Sequence, residues 1–159
     1  MDMINRRRML ILNGKHSFII FEANKVPLDS RYISGQGEYT VATDKIIVGG
    51  GYDRTVPRLL IKGTITPKFS EYKTIHILAK ATVQTYQGLK DGQMRVDNQT
   101  QLVHSPMLGT PYIIVSGKTE REYILDISPT AKSFQFKAMQ TTSDNTWSTG
   151  EITKIWLEK

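Results

Sequence analysis

The sequence predicts an all-β domain, an antiparallel sandwich or a closed barrel, and three observations carry that reading. Apolar residues recur with a period of two along nearly every apolar stretch, turn-forming residues separate those stretches, and no segment shows the 3.6-residue apolar stripe of an amphipathic helix.

Taken in chain order, the predicted strands begin with RMLILN (8–13) and HSFIIFEA (16–23), joined by Asn13-Gly14. GEYTVAT (37–43), KIIVG (45–49) and RLLIKGTI (58–65) follow, with Gly49-Gly50-Gly51 as the turn former between the last two. In YKTIHILAKATVQTY (72–86), Ile75, Ile77, Ala79, Ala81 and Val83 share one face, while Thr74, His76, Lys80 and Thr82 share the other; Leu78 is the exception. QMRVDN (93–98) and PYIIVSG (111–117) come next, with Asp91-Gly92, Asp97-Asn98 and Ser116-Gly117 read as turns. REYILDIS (121–128) alternates through Tyr123, Leu125 and Ile127, and SFQFKAM (133–139) through Phe134, Phe136 and Ala138, so each has one wet face. EITKIWLE (151–158) closes the chain: Ile155 and Leu157 take one face, and Ile152, Lys154, Trp156 and Glu158 the other. Residues 69–74 or 129–133 are read as one short helical turn, and the six prolines stand at strand margins, where no ladder donor is lost.

At 159 residues the chain fits one domain, able to bury roughly 70% of the surface its unfolded form exposes. We divide it into a basic arm, 1–8, and a β-sandwich or barrel, 9–159. Hydrophobic residues make up 39% and charged residues 23%, a composition that folds rather than stays disordered. The apolar runs are only a few residues long, far short of the ~20 a membrane-spanning helix needs, so no membrane insertion is expected. Asn13, Gly14, Lys15 and His16 interrupt the apolar run behind the arginine cluster, and no small-residue cleavage site follows; no secretion signal is read there.

The chain has no cysteine, which excludes disulfides, thiolate catalysis and cysteine-held metals. His16, His76 and His104 stand on separate segments without ligand spacing, so no metal is assigned. No nucleophile elbow, P-loop, dinucleotide fingerprint or zinc-protease motif is present, and the acids pick out no carboxylate pair. Asp44, Asp53, Asp91, Asp97 and Asp144 sit beside Gly, Asn or Thr and read as turn residues. The reading is therefore of a non-enzyme, with no catalytic residue and no cofactor. A net charge of +6 favours polyanionic neighbours, yet only Arg6, Arg7 and Arg8 form a run, so nucleic acid is not the expected partner.

Aromatic rings near turns are the better lead, since a ring with an apolar face and a polar edge suits a sugar. Tyr32, Tyr39, Tyr52, Tyr72, Tyr86, Tyr112 and Trp147 all lie in or beside turn-rich segments.

Residues SEYKTIHILAKATV and, above all, the last 40 or so, with YILDIS, SFQF and ITKIWLE, resemble a domain that recurs in tail and appendage proteins of tailed bacteriophages and prophages of Gram-positive hosts. RYISGQGEYT and PRLLIKGTI resemble its first half more weakly, and GGGYD stands where that family carries a glycine–tryptophan element. The resemblance implies a single antiparallel β-sandwich of jelly-roll type, similar to carbohydrate-binding modules of the galactose-binding-like class. It further implies a virion structural or decoration protein on a tail, baseplate or capsid. Such a protein docks on other virion proteins as a homo-oligomer or multicopy assembly, with Arg6, Arg7, Arg8 and Trp156 at protein interfaces. The alternative it implies is an adhesion module holding a host-surface glycan through Tyr52, Tyr86 and Trp147.

Overall fold

Alternating side chains do form strands, twelve of them among the described residues. The computed structural model describes residues 9–12, 15–50, 55–63, 68–100, 111–141 and 146–159. The arm with Arg6, Arg7 and Arg8 lies outside them, as do Tyr52, Asp53, His104 and Asp144. The strands are β1 (Met9–Leu12), β2 (Lys15–Glu22), β3 (Ile33–Gln36), β4 (Tyr39–Val41), β5 (Ile46–Gly49), β6 (Arg58–Lys62), β7 (Thr74–Thr85), β8 (Gly88–Asp91), β9 (Gln93–Gln99), β10 (Tyr112–Asp126), β11 (Ser133–Ala138) and β12 (Thr149–Glu158). A 3₁₀ turn at Phe69–Glu71 falls within the predicted helical segment, and a second occupies Ser30–Tyr32. The short β3 and β8 (ISGQ and GLKD) lack an apolar alternation, so only their pairing reveals them.

All pairings are antiparallel, in the order β1-β2-β12-β7-β10-β9-β11-β6-β3. The path folds into two layers at β10. Residues 112–116 pair with β9 in the second sheet, and residues 117–126 pair with β7 in the first. Ser116-Gly117 is thus a bend inside one 15-residue strand rather than a turn between two. Gly117 takes φ 92°, a conformation costly for other residues, and two extra residues of β10 bulge before the register resumes at Arg121. The bend is braced by Tyr123, whose hydroxyl donates to the Ser116 carbonyl (2.9 Å) and accepts from the Ser116 N–H (3.1 Å).

Between the layers pack Phe18, Phe21, Ile46, Ile75, Ile77, Ala79, Ile152, Ile155 and Leu157 of the first sheet. Leu59, Ile61, Met94, Val96, Phe134 and Phe136 of the second sheet meet them. Phe69 stacks obliquely on Phe134, ring centroids 4.7 Å apart. Asn98 seals one end: its side-chain amide donates to the carbonyls of Pro111 and Asp126 at 3.0 Å each and accepts from the Ser128 N–H at 2.9 Å. The pair Asp97-Asn98 is therefore strand interior, contrary to the turn expected of it, because β10 and β11 pair with β9 right through these residues.

The closing strand departs from strict alternation in one place. Thr153 is an extra residue opposite β7, between the pairs Ile152–Ala79 and Lys154–Leu78, so Ile152 turns into the core and not outward. Trp156 does lie on the outer face, yet it is only 8% exposed. Ile19, Val26 and Leu78 pack around it, His76 stacks on its ring at 4.9 Å, and its Nε1 donates to Glu158 at 3.0 Å. The ring expected at an interface is covered by its own chain. Leu78, the one break in the β7 pattern, is explained by the same small outer cluster.

Two substitutions test this packing. Gly49→Ala forces a Cβ onto the Ser148 carbonyl at φ 99° and is expected to lower unfolding free energy by more than the ~1–3 kcal/mol of the backbone strain alone, measured in urea. Trp156→Ala is expected to cost about 3 kcal/mol by the same measurement; a loss below ~1 kcal/mol would show the ring to be dispensable to the fold.

Candidate functional site

The strands of the second sheet turn alternate residues inward and leave rows of mostly polar side chains outside. On β9, Met94 and Val96 face the core, so Arg95, Asp97 and Gln99 face out. On β11 the outward residues are Ser133, Gln135 and Lys137; on β6 they are Arg58, Leu60 and Lys62; on β10 they are Tyr112, Ile114 and Ser116. The register aligns them into rows: Tyr112, Asp97, Gln135, Leu60 in one, and Ile114, Arg95, Lys137, Arg58 in the next.

The middle of this face is dry. Asp97, Gln135, Ser133 and Leu60 have no exposed surface and Gln99 only 4%, so the wet face expected of SFQFKAM is absent. Towards the rim the face opens: Arg58, Arg95 and Lys137 are partly exposed, and Tyr112 keeps 51% of its surface. The Arg95 guanidinium lies over the Tyr112 ring, 3.7 Å from its centroid, which orients both groups.

Burial pushes the Asp97 carboxyl above its ordinary value of 3.8; hydrogen bonds from Gln99 and Gln135 and the charges of Arg95 and Lys137 recover only part of that cost. Gln99 donates to Oδ2, whereas Oδ1 is buried with no hydrogen-bond partner. The Nε atoms of Arg58 and Arg95 are likewise buried and unpartnered. Aromatic surface, orphaned acceptors and orphaned donors thus converge on one face, the mixture that small-molecule sites use to orient a ligand.

Among the described residues, the aromatics singled out from sequence do not assemble a second such site. Tyr86 is 93% exposed at the tip of the β7–β8 turn, its hydroxyl accepting from Gln87 at 3.1 Å. Trp147, bridged to Gln140, is half-buried against the main core, and Tyr52 lies outside the described residues. Tyr112 was one aromatic among seven in the sequence; Arg58, Arg95 and Lys137 carried no signal beyond alternation with core residues, and Asp97 was read as a turn residue.

A second depression, of about 290 Å³, lies on the first sheet between Lys45, Lys80, Lys118, Glu120, Glu151 and Thr153. Two of its three lysines are paired: Glu151 binds Lys80 at 3.1 Å and Lys45 at 3.2 Å. Burial would raise the Glu151 carboxyl, but these two ammonium groups outweigh it and hold the group below its ordinary value.

With this geometry in place, the chain's fold has parallels among solved structures. A mutant family 29 carbohydrate-binding module complexed with cellulohexaose matches it with a TM-score of 0.56 at 11% identity, over 91% of each chain. A further family 29 module, from Piromyces equi, gives 0.46 at 13% identity, again over 91% of each chain. No protein-family model and no curated protein matches the sequence. The chain has the jelly-roll β-sandwich fold of carbohydrate-binding modules. At such low identity the likeness concerns the path of the backbone.

The buried acid supplies a pH test. Because folding raises the Asp97 pKa, an ionised Asp97 opposes the folded state, and that penalty is absent below 3.8 and grows as pH rises through the folded value. Urea unfolding of Asp97→Asn from pH 3 to 8 is expected to show stability shifting in the variant's favour above pH 3.8 and then levelling off. A difference that does not change with pH would show the folded carboxyl to be unperturbed.

Proposed function

We propose that the protein is a non-catalytic glycan-binding module whose ligand lies across the outward face of the second sheet. The observation that carries this is Tyr112, half-exposed and held by Arg95 at the edge of a floor bearing Asp97, Gln99 and Gln135. A pyranose ring has an apolar face that stacks on an aromatic ring, and hydroxyls that both donate and accept. The open Tyr112 ring answers the first need, and the partly exposed side chains of Arg95, Lys137 and Arg58 beside it supply donors to the hydroxyls. The carbohydrate-binding-module fold supports the same reading, and nothing in the site resembles an arrangement for proton transfer or nucleophilic attack.

This favours the adhesion alternative over virion decoration by protein docking. The virion setting, with other virion proteins and repeated copies as neighbours, rests on the resemblance of the last 40 or so residues to phage appendage domains. We retain it as a proposal because repetition would strengthen a weak glycan site through avidity.

The test is affinity electrophoresis and calorimetry of the full chain against soluble polysaccharides. Saturable binding to at least one is expected, with Tyr112→Ala weakening it at least tenfold and Tyr86→Ala leaving it unchanged. Binding to none would overturn the function; binding lost in Tyr86→Ala but kept in Tyr112→Ala would move the site to the β7–β8 turn.

A further inference from the structure

On the outward face of the second sheet, three cations stand in one row across three adjacent strands. Arg58 pairs in register with Lys137, and Lys137 with Arg95, so about 10 Å of sheet carries three positive side chains directly opposite one another. Like charges facing across strands destabilise a sheet. The strain is visible in Lys137, whose ammonium is held below its ordinary value by burial and then by Arg58 and Arg95.

Other clusters of charge are paired, and the described cations left without an ion-pair partner elsewhere, such as Lys90 and Lys118, do not stand in register with two further cations. Lys45 and Lys80 share Glu151, Lys25 and Lys154 share Glu22, and Arg31 grips Asp29. Among the described residues, none of Arg58, Arg95 and Lys137 forms an ion pair. The neighbouring acid is Asp97, one against three, and its buried carboxyl resists ionisation. Two guanidinium Nε–H donors in the row are buried without an acceptor. Such a row is incomplete without an anion, and a planar guanidinium is shaped to take a carboxylate or sulfate through two parallel hydrogen bonds.

We propose that the glycan bound on this face is acidic, its anionic substituent lying across the Arg58–Lys137–Arg95 row while Tyr112 stacks on an adjoining sugar ring. The inference rests on the glycan-binding reading above and narrows its ligand to a polysaccharide bearing carboxylate or sulfate groups. The groove on the opposite sheet offers no comparable row, since Glu151 already pairs with Lys45 and Lys80 and leaves Lys118 as a single cation.

Calorimetry of the full chain distinguishes the outcomes, with polygalacturonate oligomers as the carboxylate probe, chondroitin sulfate as the sulfate probe, and cello-oligosaccharides and mannan as neutral probes. At least one acidic probe is expected to bind tenfold or more tightly than either neutral one, with affinity falling as salt rises. Arg95→Gln and Lys137→Gln, made singly, should each remove most of that preference, while Lys118→Gln on the first sheet retains it. Should one variant fold poorly, the other and the salt dependence still decide. Equal binding of neutral and acidic probes, or a preference untouched by both variants, would overturn the acidic ligand and leave glycan binding standing. Equal affinity for a single-stranded oligonucleotide would also overturn it, as generic polyanion attraction, and binding to no glycan at all would remove both readings together.

Discussion

The bend in β10 is the constraint on which the rest of the molecule depends. One strand serves both sheets, so the point where it turns sets how the two layers face each other and which residues meet across them. Gly117 supplies the backbone conformation, its N–H reaches the Gly92 carbonyl at 3.3 Å, and the Lys118 N–H reaches Asp91 at 3.0 Å. Tyr123 then clasps Ser116 across the bulge. Before the bend, the register with β9 brings Tyr112 beside Asp97 and places its ring against Arg95; after it, the register with β7 puts Leu125 into the core. The candidate site and the core are two consequences of one strand path.

The two outer faces are finished in opposite ways. On the first sheet, Trp156 is covered by Ile19, Val26 and Leu78 and its polar edge is satisfied by Glu158, while His76 lies between Glu122 (2.7 Å) and Glu158 (3.4 Å). His76, Lys45, Lys80 and Lys154 are paired there, and the aromatic ring is consumed by packing. On the second sheet, three cations and a buried acid are left short of partners and the aromatic ring stays half open. Leaving buried donors and acceptors unmatched costs on the order of 1–3 kcal/mol for each group, a cost that stability alone would select against. A ligand that completes those bonds recovers it on binding, which is the physical link between the strained face and the proposed activity.

The fold was legible wherever a residue's environment follows from its own strand. Period two placed the core residues of β7, β11 and most of β12 correctly, and the 3₁₀ turn at Phe69–Glu71 was expected where the pattern broke. Errors came where a neighbouring strand decides. Ser116-Gly117 and Asp97-Asn98 carry turn-forming residues, yet pairing on both sides holds them in strands; Thr153 bulges because β7 and β12 differ by one residue, and that flips Ile152 inward. Turn propensity is a local preference of a few tenths to about 1 kcal/mol, and a ladder of hydrogen bonds with a buried face exceeds it.

By itself, then, the sequence determined that this protein is built of antiparallel strands around an apolar core, because alternation is written into each segment separately. It also excluded cysteine chemistry and known catalytic motifs. The tertiary structure alone decided the site. Arg58, Arg95 and Lys137 look like three ordinary polar positions in three strands, and Tyr112 like one tyrosine among seven. Only the register of β6, β11, β9 and β10 sets the cations in a row, places the buried Asp97 in the next row and lays the ring alongside. Register is a relation between strands distant in the chain, selected by the packing of the whole sandwich, and no single segment carries it.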